Sequence, residues 1–158
     1  MKINGKKIEG PNEEIIVIPR KDEDIVFRAK AVLNYEEFDK LCPTPIPPMI
    51  KKKGTDFPIP DIEDTNYQNK LATYATKRTS WMILKSLEAT DGLSWDTIKM
   101  SDPDSWENFE KEMKDSGFSD IEINRIVIGV QTANCLNEEK LEEARKRFLA
   151  SQQALAKK

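Results

Sequence analysis

Prolines are concentrated in one short part of this 158-residue chain, and this limits the possible folds more than any other feature. Six of the nine prolines lie between Cys42 and Pro60, at positions 43, 45, 47, 48, 58 and 60. Because proline fixes φ and has no backbone N–H to donate, the segment can be neither a helix nor an interior strand. Its expected conformation is polyproline II interrupted by turns.

The same segment contains a candidate ligand motif. Pro45–Pro48 matches the P-x-x-P pattern that SH3 domains bind, and the three lysines Lys51–Lys53 follow it. A semi-rigid spacer that lies across or links two substructures is a more frequent use of proline-rich sequence. We therefore interpret residues 43–60 as a proline-rich connector rather than as a ligand for another protein.

The residues before the prolines have the patterns of β-strands. Glu13–Ile18 is a β-branched run that ends at Pro19, and Ile25–Val32 alternates between apolar and polar residues. The polar stretch Lys21–Asp24 is expected to form the loop between two antiparallel strands. The inward-facing residues of the second strand are expected to be Ile25, Phe27, Ala29 and Ala31.

Two smaller elements complete the N-terminal region. The Asn4-Gly5 pair predicts a tight hairpin with very short strands. Asn34 and Glu37 have the spacing of a capping box, which predicts a short helix over Tyr35–Leu41. Residues 1–42 are therefore predicted to be a β-rich N-terminal region with one short helix.

Beyond the prolines, apolar residues recur at the three- and four-residue intervals of helices. The first of four predicted helices begins at the Asp64-Thr65 cap and ends at Leu87. The last helix ends in the polar residues 150–158, which are expected to fray. The others are expected to begin at Ser101–Asp104, at the Ser119–Glu122 capping box and at Asn137. Their inward-facing residues are expected to be Trp106, Phe109 and Met113; then Ile123, Ile126, Val127, Val130 and Ala133; and finally Leu141, Ala144, Phe148 and Leu149.

These patterns together predict an α+β fold. It would consist of a small N-terminal antiparallel β region in residues 1–42, a proline-rich connector in residues 43–60, and a C-terminal bundle of about four helices in residues 61–158.

The composition excludes several kinds of chemistry. Histidine is absent, and the two cysteines, Cys42 and Cys135, are far apart and belong to no C-x-x-C pair. This excludes the usual zinc sites, haem ligation through histidine, and Ser-His or Cys-His catalysis. Glycine-rich phosphate-binding motifs are also missing. We predict no catalytic, cofactor-binding or metal-binding residues and no cofactor, and we expect that the protein is not an enzyme.

Charge and hydropathy predict the compartment and exclude two kinds of partner. The formal net charge is −3, and the chain has neither a signal-peptide pattern nor a run of 18 apolar residues. We therefore expect a soluble cytoplasmic protein with two free thiols that does not bind membranes. The basic stretches Lys51–Lys53 and Arg145–Arg147 lack interleaved aromatic residues, so no nucleic-acid partner is predicted.

The remaining candidates for function are residues that could bind another protein. Between Asp91 and Asn124, ten acidic residues stand against three lysines, which gives a local net charge of −7. Within this stretch Glu107, Glu110 and Glu112 could steer a basic partner, although a solvated acidic face is the simpler interpretation. Trp95, in a short apolar segment between two helices, is either a core residue or a contact residue.

Several stretches resemble small proteins encoded in tailed-phage structural gene clusters, of the kind called tail assembly chaperone-like. The resemblance covers about Val32 to Leu149. It rests on Phe38-Asp39-Lys40-Leu41-Cys42-Pro43, Pro47-Pro48, Trp81–Leu87, Trp95, Asp102-Pro103-x-x-Trp106 and Ala133-Asn134-x-x-x-x-Glu138-x-Lys140-Leu141-x-Glu143-Ala144. It implies a protein that shields a tape-measure or tail-tube protein until the tail polymerises, and it identifies no binding residues.

The sequence therefore supports two functional hypotheses from different classes. The first is a non-enzymatic phage morphogenesis factor that binds a tape-measure or tail-tube protein. The alternative is a small phage-encoded inhibitor or adaptor that binds a host protein, with a minor virion structural protein between them. The sequence assigns no oligomeric state.

Overall fold

The computed structural model describes residues 1–54 and 56–156. In chain order its elements are β1 (Lys2–Ile3), β2 (Lys6–Lys7), β3 (Glu13–Ile18), β4 (Ile25–Lys30), α1 (Glu36–Leu41), β5 (Met49–Ile50), β6 (Ile59–Pro60), α2 (Thr65–Leu87), a 3-10 helix (Trp106–Asn108), α3 (Phe109–Asp115), α4 (Asp120–Ala133) and α5 (Glu138–Ala156). The predicted α+β class is confirmed, with small two-stranded antiparallel sheets toward the N-terminus and four helices of seven or more residues in the C-terminal part. Lys157 and Lys158, the end of the predicted helical domain, lie outside the described residues.

The chain forms two compact units, each assembled from segments that are separated in sequence. Unit 1 comprises residues 1–33, 85–94 and the described part of 113–158. Unit 2 comprises residues 34–84, apart from Thr55, and residues 95–112. The predicted division into residues 1–42, 43–60 and 61–158 concerns contiguous segments and stays a prediction.

In unit 1, the hairpin of β3 and β4 packs one face on α4. The strands are antiparallel, as predicted, and Ile16 lies opposite Phe27. The buried apolar residues at this contact are Ile16, Ile18, Phe27 and Ala29 of the hairpin and Ile123, Ile126, Val130 and Ala133 of α4. Ile25 and Ala31, at the ends of the predicted inward face, are half-buried.

Gly129 allows α4 to approach β3 closely. A Cβ atom at this position would lie 2.4 Å from both Cδ1 and Cγ1 of Ile16, which is far inside van der Waals contact. Glycine inside a helix costs about 1 kcal/mol relative to alanine. The close packing of helix and strand offsets that cost.

The predicted N-terminal caps of three helices are confirmed. Ser119 and Glu122 form a full capping box at the start of α4. The side chain of Asp64 accepts a hydrogen bond from the first turn of α2 at 2.7 Å, and that of Asn137 does the same for α5 at 3.2 Å. Each cap depends only on residues within one turn, which is why the sequence pattern was sufficient.

The C-terminal ends of α3 and α4 are both Schellman motifs. In α3 the N–H of Phe118 donates to the carbonyl of Met113 at 3.0 Å, and Gly117 takes the left-handed conformation with φ of 92°. The equivalent hydrogen bond of α4 runs from the N–H of Leu136 to the carbonyl of Gln131 at 2.8 Å, and its left-handed residue is Cys135, with φ of 57°.

The side chain of Asn134 joins three segments of unit 1. Its Oδ1 accepts a hydrogen bond from the backbone N–H of Val32 at 2.9 Å. Its Nδ2 donates to the hydroxyl of Ser86 and to the carbonyl of Val130, both at 2.8 Å. Because Ser86 is fully buried, its hydroxyl depends on a partner inside the protein.

Unit 2 is built around aromatic side chains. Ring centroids 5.3 to 6.5 Å apart connect Tyr35, Phe38, Tyr74, Trp81 and Trp106. Phe38 and Trp106 have no exposed surface, and the guanidinium of Arg78 lies 4.0 Å from the ring centre of Tyr35. Tyr74 and Trp81, seven residues apart in α2, therefore both face the core of this unit.

The proline-rich segment folds back on itself in a short ribbon, and its role as a connector stays a prediction. β5 and β6 pair antiparallel, with Ile50 opposite Ile59, and the N–H of Asp61 donates to the carbonyl of Pro48 at 2.7 Å. Each strand of this ribbon is an edge strand, where proline is tolerated. The prediction that this segment excludes helix and interior strand holds for its described residues.

Two predicted helix starts are wrong. α1 begins one residue later than expected, with Tyr35 as its N-cap and no capping box, while Asn34 Oδ1 accepts from the N–H of Glu36 at 3.3 Å. Ser101–Asp104 forms turns, and the helical region begins at Trp106 with a single turn of 3-10 helix. In both places aspartate or asparagine closes a local turn, which competes with helix initiation.

The direction of α5 is the largest difference from prediction. Leu141, Ala144, Phe148 and Leu149 were expected to face inward, yet all four are exposed. α4 packs against β3 and β4, and the predicted inward face of α5 is left exposed.

Candidate protein-binding surfaces

The four residues predicted to bind a partner all lie in the 95–112 segment of unit 2. Trp95 is half-buried in an irregular stretch. Glu107 in the 3-10 helix and Glu110 in the first turn of α3 are exposed, whereas Glu112 is half-buried. Partner binding by all four residues stays a prediction.

Glu112 has a structural role that the sequence pattern did not indicate. Its Oε1 accepts a hydrogen bond from the N–H of Asp96 at 2.5 Å. Its Oε2 accepts from the N–H of Thr97 at 3.0 Å and from the Thr97 hydroxyl at 2.5 Å. The carboxylate therefore ties α3 to the loop that carries Trp95, and its charge is already engaged within the protein.

The surroundings of Cys42 disfavour its thiolate form. Burial raises the pKa of its thiol, with a smaller contribution from the charge of Asp104 that the nearby Lys77 counteracts. Lys77 Nζ is held by Asp104 Oδ1 at 2.6 Å, and this hydrogen bond raises the pKa of Lys77. A raised thiol pKa reduces the thiolate population that nucleophilic chemistry requires.

The exposed face of α5 is the clearest candidate for binding another protein. We call Leu141, Ala144 and Phe148 the α5 stripe. They recur at three- and four-residue intervals and so lie along one side of the helix. Leu141 is 42% exposed and Phe148 is 60% exposed, and Leu149 beside them is 49% exposed.

Basic residues border the α5 stripe on both sides. Lys140 and Arg147 lie on one side and Arg145 on the other, within about 100° of the stripe centre at 100° per residue. Within the described part of the chain, the one ion pair of this group joins Lys140 to Glu143 at 3.6 Å. We call Lys140, Arg145 and Arg147 the basic flanks.

The sequence contained the α5 stripe but not the direction in which it faces. Amphipathic spacing is the same whether the apolar face packs inside the chain or awaits a partner. A better signal was the narrowness of the face, one residue per turn, together with the basic residues beside it. That combination is typical of a helix that pairs with another surface.

Two other apolar surfaces are exposed. On the outer face of the hairpin in unit 1, Ile15, Val17 and Val26 lie side by side and are about half-exposed. In unit 2, Ile46, Met49 and Phe57 of the proline-rich segment are 59–87% exposed. Neither group has helical periodicity or a consistent charge border.

The outer edge of β4 is closed by a side chain. The hydroxyl oxygen of Thr90 accepts from the N–H of Arg28 at 2.8 Å and donates to the carbonyl of the same residue at 3.0 Å. Thr90 therefore occupies the hydrogen-bonding positions that an additional strand would use.

Two features were looked for and not found in the described residues. No cluster of three or more potential metal-binding side chains occurs among them, and none of their helices is long and apolar enough to cross a membrane. Comparison with protein-family models, with curated proteins and with solved structures gave no match.

Proposed function

We propose that this chain is a non-enzymatic protein-binding factor and that α5 is its main contact element. The observation that carries the proposal is the exposure of the α5 stripe, in which Phe148 keeps 60% of its surface accessible. Burying a side chain of this size contributes about 1.5–3 kcal/mol. A helix with such a stripe gains most when it docks into an apolar groove on another protein.

The specific role that we propose is that of an assembly factor of a tailed phage. It would act in the host cytoplasm on a tape-measure or tail-tube protein, as the sequence resemblance implies. The exposed helix supports protein binding, and the alternatives are an inhibitor or adaptor that binds a host protein and a minor virion structural protein. The identity of the bound protein distinguishes these roles.

Site-specific photo-crosslinking tests the proposal. The full chain is produced in its native cells with a benzophenone amino acid at position 148, at position 141, or at the control position 146 on the opposite side of α5. We expect one dominant protein adduct from positions 148 and 141 and none from position 146. If positions 148 and 141 give no protein adduct, the proposed binding role of α5 is wrong.

The identity of the adduct tests the specific role. A tail-tube or tape-measure protein in the adduct supports the assembly role. A host protein overturns that role and favours the inhibitor or adaptor, and an adduct found in assembled particles favours a virion protein.

A further inference from the structure

We infer that the α5 stripe binds an apolar groove whose rim is acidic. This inference rests on the proposed function and specifies the chemistry of the partner's site. Its basis is the arrangement of charges around α5, since the apolar side chains alone would fit any groove of suitable width.

Most charges of α5 are sorted by side. The basic flanks border the stripe, and Glu138, seven residues before Arg145, lies on the same side as Arg145 at the N-terminal end of the helix. The other acidic residues, Glu139, Glu142 and Glu143, lie with Lys146 about 120–180° away from the stripe at 100° per residue. A docked groove would therefore meet mainly positive charge at its rims, from Lys140 and Arg147 on one side and from Arg145 on the other. Acidic residues there would gain favourable pairs, and basic residues would be repelled.

A second copy of this chain is a poor occupant. In a parallel helix pair with the stripe as its seam, Lys140 of one copy would face Arg145 of the other. In an antiparallel pair, Arg145 would approach Arg145 of the other copy. Both arrangements bring basic flanks together, so self-pairing lacks charge complementarity.

An anionic membrane surface is also a poor occupant. Residues 138–156 contain four acidic and four basic side chains, so the helix as a whole carries no net charge toward anionic lipid. Helices that lie in the membrane interface present a broad apolar face, whereas the α5 stripe has one apolar residue per turn. Both features favour a protein groove.

A defined probe tests the inference with the full chain. The probe is a designed helical hairpin whose leucine-lined groove is flanked by glutamates, and the matched probe has lysines at the same positions. By fluorescence anisotropy at low salt, we expect the glutamate probe to bind at least about tenfold more tightly, a difference of about 1.4 kcal/mol.

Two variants with the same change in net charge locate the effect. Arg147→Glu alters a basic flank and is expected to weaken binding to the glutamate probe at least about fivefold. Lys146→Glu alters the opposite side of the helix and is expected to change binding less than twofold. Equal affinity for the two probes, or equal effects of the two variants, would overturn the inference.

Other binding partners of the α5 stripe would give different results in these experiments, and so would a failure of the proposed function. Phe148-dependent binding to vesicles with anionic lipid would replace the groove with a membrane, and a Phe148-dependent dimer would replace it with a second copy. A crosslink from position 148 that is insensitive to Arg147→Glu would overturn the acidic rim but leave the protein-binding function intact. The reverse result, selective probe binding without any crosslink, would contradict the proposed function alone.

Discussion

At the scale of single residues, Cys135 occupies a position that suits glycine better. Its φ of 57° lies in the left-handed region, which costs an ordinary residue roughly 1–2 kcal/mol. We expect Cys135→Gly to raise the free energy of unfolding by about 1 kcal/mol, or the midpoint of thermal unfolding by roughly 2–4 °C. Cys135→Ala keeps the strain and serves as the control. Destabilisation by glycine would mean that the Cys135 side chain contributes more than the backbone strain costs.

Glu122 makes the stability of unit 1 depend on pH. Hydrogen bonds from Arg20 and from the backbone and hydroxyl of Ser119 lower the pKa of its carboxyl from 4.5 to about 2. Because the unfolded chain takes up the proton first, this contribution is complete above about pH 4.5 and is lost as the pH falls toward 2.

We therefore expect Glu122→Gln to flatten the stability profile in that pH window. The measurement is urea unfolding at several pH values between 2 and 7, with the exposed residue Glu110 replaced by Gln as the control. A wild-type profile parallel to that of Glu122→Gln would show that the carboxyl is not stabilised by these hydrogen bonds.

We expect Glu112 to stabilise the folded protein through its hydrogen bonds, apart from any role in binding a basic partner. Glu112→Ala removes three hydrogen bonds to the 96–97 loop and should destabilise the protein by about 1–2 kcal/mol, because a charged acceptor is lost from two backbone donors. Glu110→Ala, on the exposed side of the same helix, should stay within about 0.5 kcal/mol of wild type. Equal losses of stability for the two variants in chemical denaturation would show that Glu112 does not have this structural role.

At the scale of elements, the contact between α4 and β3 depends on Gly129. Gly129→Ala would gain about 1 kcal/mol of helix propensity, yet its methyl group would overlap Ile16. Overpacking usually costs about 1–3 kcal/mol, so we expect a net loss of up to about 2 kcal/mol. Adding Ile16→Ala should make the combined loss smaller than the sum of the single losses in urea denaturation. Full additivity would contradict the close contact.

Local signals predicted the elements better than their directions. The Ser119–Glu122 box and the Asp64 and Asn137 caps could be predicted because each involves residues within one turn. The inward face of β4 could also be predicted, since the alternation of side chains along a strand allows only two faces. The direction of α5 was not, because whether an apolar stripe finds an internal partner depends on distant parts of the chain.

Some features of the candidate binding residues could likewise be predicted from local sequence, and others could not. Trp95, Glu107 and Glu110 were selected from composition, which cannot separate a solvated face from a contact surface. The engagement of Glu112 with Thr97 was not predictable, since it joins residues 15 positions apart through an irregular loop. The flanks of the α5 stripe were visible as basic residues, but their relevance depended on the stripe being exposed.

At the scale of the whole molecule, α5 should be dispensable for folding. Every residue from 138 to 152 is exposed, so ending the chain after Leu136 removes little buried surface. We expect the truncated chain to melt within about 2 °C of the full chain, which corresponds to less than about 1 kcal/mol, and to lose the crosslinked partner. A large drop in melting temperature would mean that α5 contributes to the core.

The interleaved segments of unit 1 set an order of events during synthesis. Val32 hydrogen-bonds to Asn134, which leaves the ribosome 102 residues later. At about 5–20 residues per second, the newly made hairpin waits roughly 5–20 s with Ile16 and Phe27 exposed before α4 can cover them. Residues 34–112, which contain all of unit 2, are translated during that interval. Of the segments of unit 1, the β3–β4 hairpin therefore exposes its apolar face for longest during synthesis.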